Sequence, residues 1–216
     1  MTDRRRATWL AGTRLVPLPA IGLVAAIGSV AVVLVSGTPD RLRAWVVLTG
    51  VVLAAVAAGA VDDPTESVAA STPVARRPRW TMRVTNVAVV AAAAIAVVAG
   101  TGAWTVSDHA ASAVDVLDAI DADTVAFQVA AYVMFGWAVG AAAVRTWGPG
   151  FAVRCAGPAV LGFHVAFEMT GDSWPHWLLG TDAGTTGWWR AVLGLATAAF
   201  LVAATDPARR LRWRRS

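Results

Sequence analysis

The sequence predicts an all-α, polytopic membrane protein with six crossing helices and both termini in the cytoplasm. Three observations predict it. The 216 residues are 57% hydrophobic and 15% charged, too apolar for a soluble domain of that length. Several runs approach the roughly 20 apolar residues that a helix needs to cross a bilayer. The 18 basic residues are all arginines, and they gather in the short connections and tails between those runs.

Residues 1–14 carry Arg4, Arg5, Arg6 and Arg14 around Thr8, Trp9, Leu10 and Ala11. They read either as an interfacial amphipathic helix, with Trp9 and Leu10 at the headgroup boundary, or as a cytoplasmic tail. No small-residue cleavage site follows, so a cleavable signal is not expected. A six-helix domain is expected over 15–205. Its first span covers about 15–36, with Pro17 and Pro19 confined to the opening turns, where a missing N–H does least harm. Gly37-Thr38-Pro39-Asp40 reads as a tight turn, and a short second span follows at about 44–61.

The connection from Val61 to Arg83 is the longest polar interruption on the side read as cytoplasmic. Asp62-Asp63-Pro64-Thr65-Glu66 reads as a helix start, with an Asp at the cap, Pro at the first helical position and Glu reaching back from the third. Pro73 stops that helix, because the residue before a proline is pushed out of the α region. Arg76, Arg77 and Arg79 then lead back to apolar sequence. A capped helix followed by arginines suits docking to another protein; the plainer reading is a basic loop obeying topology rules.

The third span is expected at about 84–104. Residues 105–123 hold Asp108, Asp115, Asp118, Asp121 and Asp123, with Val114, Leu117 and Ile120 at helical spacing, which predicts a short amphipathic surface helix. The acidic pattern does not match a calcium-binding loop, so a solvated acidic face is the default. The fourth span is expected at about 124–144 and the fifth at about 151–170, antiparallel neighbours across the short turn Thr146–Gly150. A Trp- and Gly-rich stretch, 171–187, precedes a sixth span at about 188–205. The basic tail 206–216 closes the chain. With both ends inside, 15 of the 18 arginines fall on the inner side, as the positive-inside rule requires. These arginines suit orientation and anionic lipid heads, not nucleic acid.

Catalytic patterns are missing from the sequence. A GxxxxGK[ST] phosphate loop would need a lysine, and no GxSxG or HExxH occurs. Cys155 is the only cysteine, which excludes an intrachain disulfide and a cysteine-built metal centre. Three histidines are too few for paired haem ligands, so no cofactor is expected, and the chain is not expected to be an enzyme. His164 and Glu168 stand one turn apart on a single helix face. Ionisable residues at membrane depth usually face a cavity or a partner. The pair is a candidate pathway or proton-coupled site; in the plainer reading Glu168 reaches the interface while His164 bonds a neighbouring helix. The tryptophans at 174, 177, 188 and 189 read as an interfacial belt.

Taken together, this order of parts resembles the membrane subunits of bacterial ABC-2-type transporters, especially the small permease-like proteins of high-GC bacteria. The matching features are the Arg-rich N-terminal segment, Asp62-Asp63-Pro64, the stretch Thr72-Pro73-Val74-Ala75-Arg76-Arg77, the Trp-rich segment before span six, and Asp206 to Arg210. The resemblance implies a plasma-membrane complex of two permeases, identical or related, with two ATPase subunits on the cytoplasmic face. It implies a coupling helix at about Asp63–Ser71, an interfacial helix at about Arg4–Arg14 and a re-entrant hairpin within 171–187. The coupling residues would be Asp62, Asp63, Pro64, Glu66, Arg76 and Arg77. The second span departs from the family by being short. The expected function is therefore that of a permease subunit worked by a separate ATPase. The alternatives are an accessory scaffold of a membrane complex and an ion-coupled carrier using His164 and Glu168.

Overall fold

The computed structural model describes residues 18–35, 37–62, 76–107, 112–148, 150–170 and 184–204. Every regular element among these is helical. They are α1 (Leu18–Val35), α2 (Pro39–Ala57), a 3-10 turn (Ala58–Val61), α3 (Arg76–Ser107), α4 (Ala113–Ala119), α5 (Ala122–Trp147), α6 (Ala152–Thr170) and α7 (Gly184–Ala204). Four stretches are long and apolar enough to cross a membrane: Pro39–Val61, Arg83–Ser107, Ala122–Trp147 and Gly187–Ala204. The chain is thus a helical membrane protein. α1 is apolar but shorter, and α6 is diluted by Arg154, Pro158, His164 and Glu168.

Two of the boundaries that differ from the sequence reading do so for a clear local reason. The expected turn at 37–40 is a helix start. Thr38 is extended (φ −142°), its hydroxyl accepts the Arg41 N–H at 3.5 Å, and Pro39 and Asp40 occupy the first turn. A cap, a proline that needs no N–H partner and an acid near the positive helix end all favour beginning there. α3 likewise begins at Arg76 and not at Val84. Pro78 falls in its opening turn, where proline breaks no internal hydrogen bond, so Arg76 and Arg77 are helical and not part of a loop.

α4 is the expected short helix, but its buried face is turned. Val116 and Ile120 are buried and Leu117 is partly buried, whereas Val114 is 64% exposed. The cap fixes this register. The Ser112 hydroxyl accepts the Asp115 N–H, and the Asp115 carboxylate accepts the Ser112 hydroxyl at 2.8 Å and its N–H at 3.0 Å. Those bonds hold the Asp115 carboxyl below its ordinary range. Asp121, in the left-handed region at φ 54°, caps α5 through the Thr124 N–H. Two of the aspartates are therefore committed to helix starts.

α2 and α5 form the central pair. α5 also packs on α6 and α7, and α2 on α1, α3 and α6, while α1 and α3 pack on each other. The central contact is close because small residues line it. A Cβ on Gly136 would stand 3.0 Å from the Ala54 carbonyl oxygen, and one on Gly140 would stand 3.5 Å from that of Ala58. Between membrane helices this backbone proximity, and not water exclusion, supplies the attraction. On α1, Leu23, Ile27 and Leu34 are 62%, 60% and 77% exposed, an arrangement suited to hydrocarbon and not to water.

Gly136→Ala should therefore destabilise the bundle by about 1–3 kcal/mol, because a backbone oxygen cannot step aside as a side chain can. Gly100→Ala, which meets nothing within 4 Å, should not destabilise it. Reversible unfolding of both variants in detergent micelles checks the contrast.

Candidate functional site

At one end of the bundle, three chain segments are tied together. α2 tightens into the 3-10 turn Ala58–Val61 and ends at Asp62. Just before that turn, the Ala57 carbonyl accepts the Trp137 indole N–H from α5 at 2.8 Å. Asp62 then receives two further donors. Its carboxylate accepts the Gly150 N–H at 2.8 Å, and its carbonyl accepts an Arg83 guanidinium N–H at 3.2 Å. Arg83 is only 5% exposed. Gly148 and Gly150 sit at φ 96° and 90°, backbone that glycine adopts without strain, and this bend brings the Gly150 N–H to Asp62. The end of α2, the body of α3 and the α5–α6 bend thereby form one clasp.

Of the residues expected to couple to a partner, the structure places Asp62 in this clasp. It places Arg76 and Arg77 in the first turn of α3. Asp63, Pro64 and Glu66 lie outside the described residues, as does the coupling helix expected at about 63–71. Arg83, which the sequence marked only as the loop's edge, is the buried cation of the clasp. Its signal was there to see: an arginine one residue before a long apolar run must either snorkel or find an acceptor.

The second polar feature lies toward the opposite ends of α5 and α6. Gln128 Nε2 donates to the Tyr132 hydroxyl at 3.3 Å, and that hydroxyl stands 2.9 Å from His164 Nδ1. The same Nδ1 is 3.9 Å from Glu168 Oε1. Gln128 and Tyr132 are buried, the His164 side chain is 15% exposed and that of Glu168 61%. The row therefore runs from the interior of the bundle to its surface. Aromatic rings enclose it: Tyr132 meets His164, Phe163 and Trp189 edge-on, with centroids 5.6, 6.0 and 5.3 Å apart. Phe167 adds a ring 4.8 Å from Trp189.

One arrangement satisfies both contacts: the Tyr132 oxygen accepts from the Gln128 amide and its proton is donated to His164 Nδ1, which requires the tautomer with hydrogen on Nε2. A side-chain hydrogen bond between membrane helices contributes about 0.6–1.7 kcal/mol, enough to hold the α5–α6 register at this depth. Among the described residues no three His, Cys, Asp or Glu side chains are grouped for a metal. The row thus links a buried amide and hydroxyl to an imidazole and, 3.9 Å beyond it, an exposed carboxylate.

The sequence brought out His164 and Glu168, and the structure joins them on one face of α6. It missed Gln128 and Tyr132. The available signal was a second polar pair one turn apart in an otherwise apolar span. The tryptophan belt needs correcting at its inner end. Trp189 is 1% exposed, inside the aromatic cluster, and Trp188 packs against the core. α7 starts at Gly184, so these residues lie a full turn inside the helix, where Trp189 faces α5. Trp174 and Trp177 lie outside the described residues. The exposed Arg190 guanidinium rests 4.7 Å above the Phe127 ring, a cation–π contact.

No family model, curated protein or solved structure matches the chain.

Asp62→Ala should free the Gly150 N–H, speeding its exchange with solvent about fivefold if the bond contributes about 1 kcal/mol. The exchange of the Ala57–Val61 amides should rise with it, as the end of α2 loosens. Hydrogen exchange of the full chain in nanodiscs measures both.

Proposed function

We propose that this chain is a permease subunit of an ATP-driven, ABC-2-type transporter in a bacterial plasma membrane. In this reading it crosses the membrane six times with both termini in the cytoplasm. It pairs with a second permease and takes its work from a separate ATPase through the 61–83 connection. The observation that carries the proposal is the clasp at Asp62. Both ends of the 61–83 connection are fastened, at Asp62 and Arg83, to each other and to the α5–α6 bend at Gly150. A push on the connection therefore does not dissipate in a loose loop. It reaches α2 and α3 directly and α5 and α6 through Asp62, Gly150 and the Trp137 bond to Ala57. Three features of the sequence support the same reading. They are the helix-start pattern Asp62-Asp63-Pro64-Thr65-Glu66, the arginines at 76 and 77, and the placement of most arginines on one side of the membrane.

The mechanism is mechanical. Nucleotide-driven closure of the ATPase displaces the connection, and the clasp converts that displacement into a shift of the central helix pair. Because Gly136 lets α2 and α5 touch through backbone atoms, they move as one body. The flanking helices, α1 with α3 on one side and α6 and α7 each packed on α5, then change their angle to it. The chain performs no chemistry of its own.

Replacing residues 63–77 by a Gly/Ser linker of equal length should abolish co-purification of an ATPase chain from the native membranes. It should also remove the ATP turnover of the purified complex. An unchanged complex with unchanged turnover overturns the proposal. A retained complex that never hydrolysed ATP would favour the scaffold reading.

A further inference from the structure

We propose that Tyr132, His164 and Glu168 form a proton-binding site whose loading breaks the hydrogen bond between α5 and α6. The inference goes beyond ATP-driven coupling and does not depend on it. Four observations carry it. First, a histidine in a membrane helix is bonded across to a buried tyrosine at 2.9 Å through one nitrogen, Nδ1. Second, that same nitrogen has a carboxylate one turn away at 3.9 Å, beyond a hydrogen bond but within reach of a small rotation. Third, the carboxylate is 61% exposed while the tyrosine is fully buried, so the row has a way in from the surface and a closed end. Fourth, the closed end is Gln128, whose carboxamide can donate from its nitrogen or accept at its oxygen.

These features define two bonding patterns for one set of side chains. Without the extra proton, Gln128 N–H donates to the Tyr132 oxygen and Tyr132 O–H donates to His164 Nδ1. When a proton from solution reaches the Glu168 carboxylate and passes to Nδ1, that nitrogen becomes a donor and can no longer accept from tyrosine. The imidazolium then donates to the Glu168 carboxylate, which the transfer has returned to its ionised form. Tyr132 keeps its own proton and donates it to the Gln128 amide oxygen after the amide turns over. In either pattern the Tyr132 hydroxyl and His164 Nδ1 each keep a partner, which a water-poor site favours. Only the bond between α5 and α6 is lost. An aliphatic residue at 128 would leave the tyrosine without an acceptor in the loaded pattern.

The neighbouring charges do not intrude on this exchange. On α7, Arg190 lies over Phe127. On α6, Arg154 lies beside the Phe151 ring, far along the helix toward the clasp. The charged residues of α2, namely Asp40, Arg41 and Arg43, belong to its opening turns, and Asp62 is engaged with Gly150. Asp121 and Asp123 stand at the start of α5. Among the described residues, Glu168 is the ionisable partner that His164 can reach. Two clefts, lined by α1 and α2 residues such as Ile27 and Leu48, lie away from the row.

The test is ring 15N NMR of the full chain, histidine-labelled, in nanodiscs over a pH series. His164 is one of three histidines and is assigned by the signal lost in His164→Gln. In the unloaded protein the proposal expects Nδ1 to be unprotonated and hydrogen-bonded. Tyr132→Phe removes the donor that favours the unloaded form, so the transition should move to higher pH. Glu168→Gln removes the carboxylate that receives the loaded form, so it should move to lower pH. Opposite shifts of half a unit or more support the proposal, because a purely structural role has no reason to give them. Glu168 is largely exposed, so its variant keeps the test available should Tyr132→Phe not fold. An Nδ1-protonated neutral ring, or a transition unmoved by Glu168→Gln, overturns the proposal.

Discussion

A polar atom buried in a bilayer has no water to turn to, and that constraint shapes this bundle more than any single contact. Backbone groups meet it by helix formation. Threonines such as Thr49 meet it on the backbone of their own helix, and two clusters among the described residues meet it between helices. At one end Asp62 accepts from the Gly150 N–H and the Arg83 guanidinium, and the Trp137 indole donates to the Ala57 carbonyl. Toward the other end Gln128 donates to Tyr132, whose hydroxyl is bonded to His164, with Glu168 3.9 Å beyond. Between them the bundle is held by close packing of small residues.

The two polar groups differ in character because they differ in burial and in the chemistry of their members. The clasp uses a guanidinium, which never gives up its proton, the Asp62 carboxylate, the Trp137 indole and backbone groups that keep one role. It is a fixed joint, suited to passing on a displacement. The row uses a histidine, a tyrosine and a carboxamide, each able to reverse its part in a hydrogen bond. It suits a site that exists in two states. On the proposed loading, α5 and α6 would stay joined at the clasp while their bond toward the other end is made or broken.

The legibility of these parts in the sequence followed the range of the physics involved. Helical character was legible because apolar runs of this length admit few other structures in a membrane. Where a boundary was misread, a short-range rule had been set aside for a compositional one. Thr38-Pro39-Asp40 looked like a turn by residue type yet is a cap by position. Arg76, Arg77 and Arg79 looked like a loop by charge, yet Arg76 begins a helix that Pro78, in its opening turn, does not break. The buried stripe of α4 was assigned to Val114, Leu117 and Ile120, whereas the Ser112 cap and the contacts of the neighbouring helices turn Val116 inward. Trp189 was read as interfacial because tryptophan usually is, and the face it presents to Tyr132 could be known only once α5 and α7 were side by side.

By itself, the sequence determined that this is a helical membrane protein. It marked His164 and Glu168 as one face of a helix, because periodicity and hydropathy are properties of a chain read in order. Only the tertiary structure decided which polar residues meet. Arg83 and Gly150 are distant from one another along the chain and come to Asp62 through the packing of α3 and the bend after α5. Tyr132 reaches His164 only because α5 and α6 are antiparallel neighbours in a particular register. Hydrogen bonds act over about 3 Å, so partners far apart in sequence are chosen by how the helices pack, and that choice depends on all of them together.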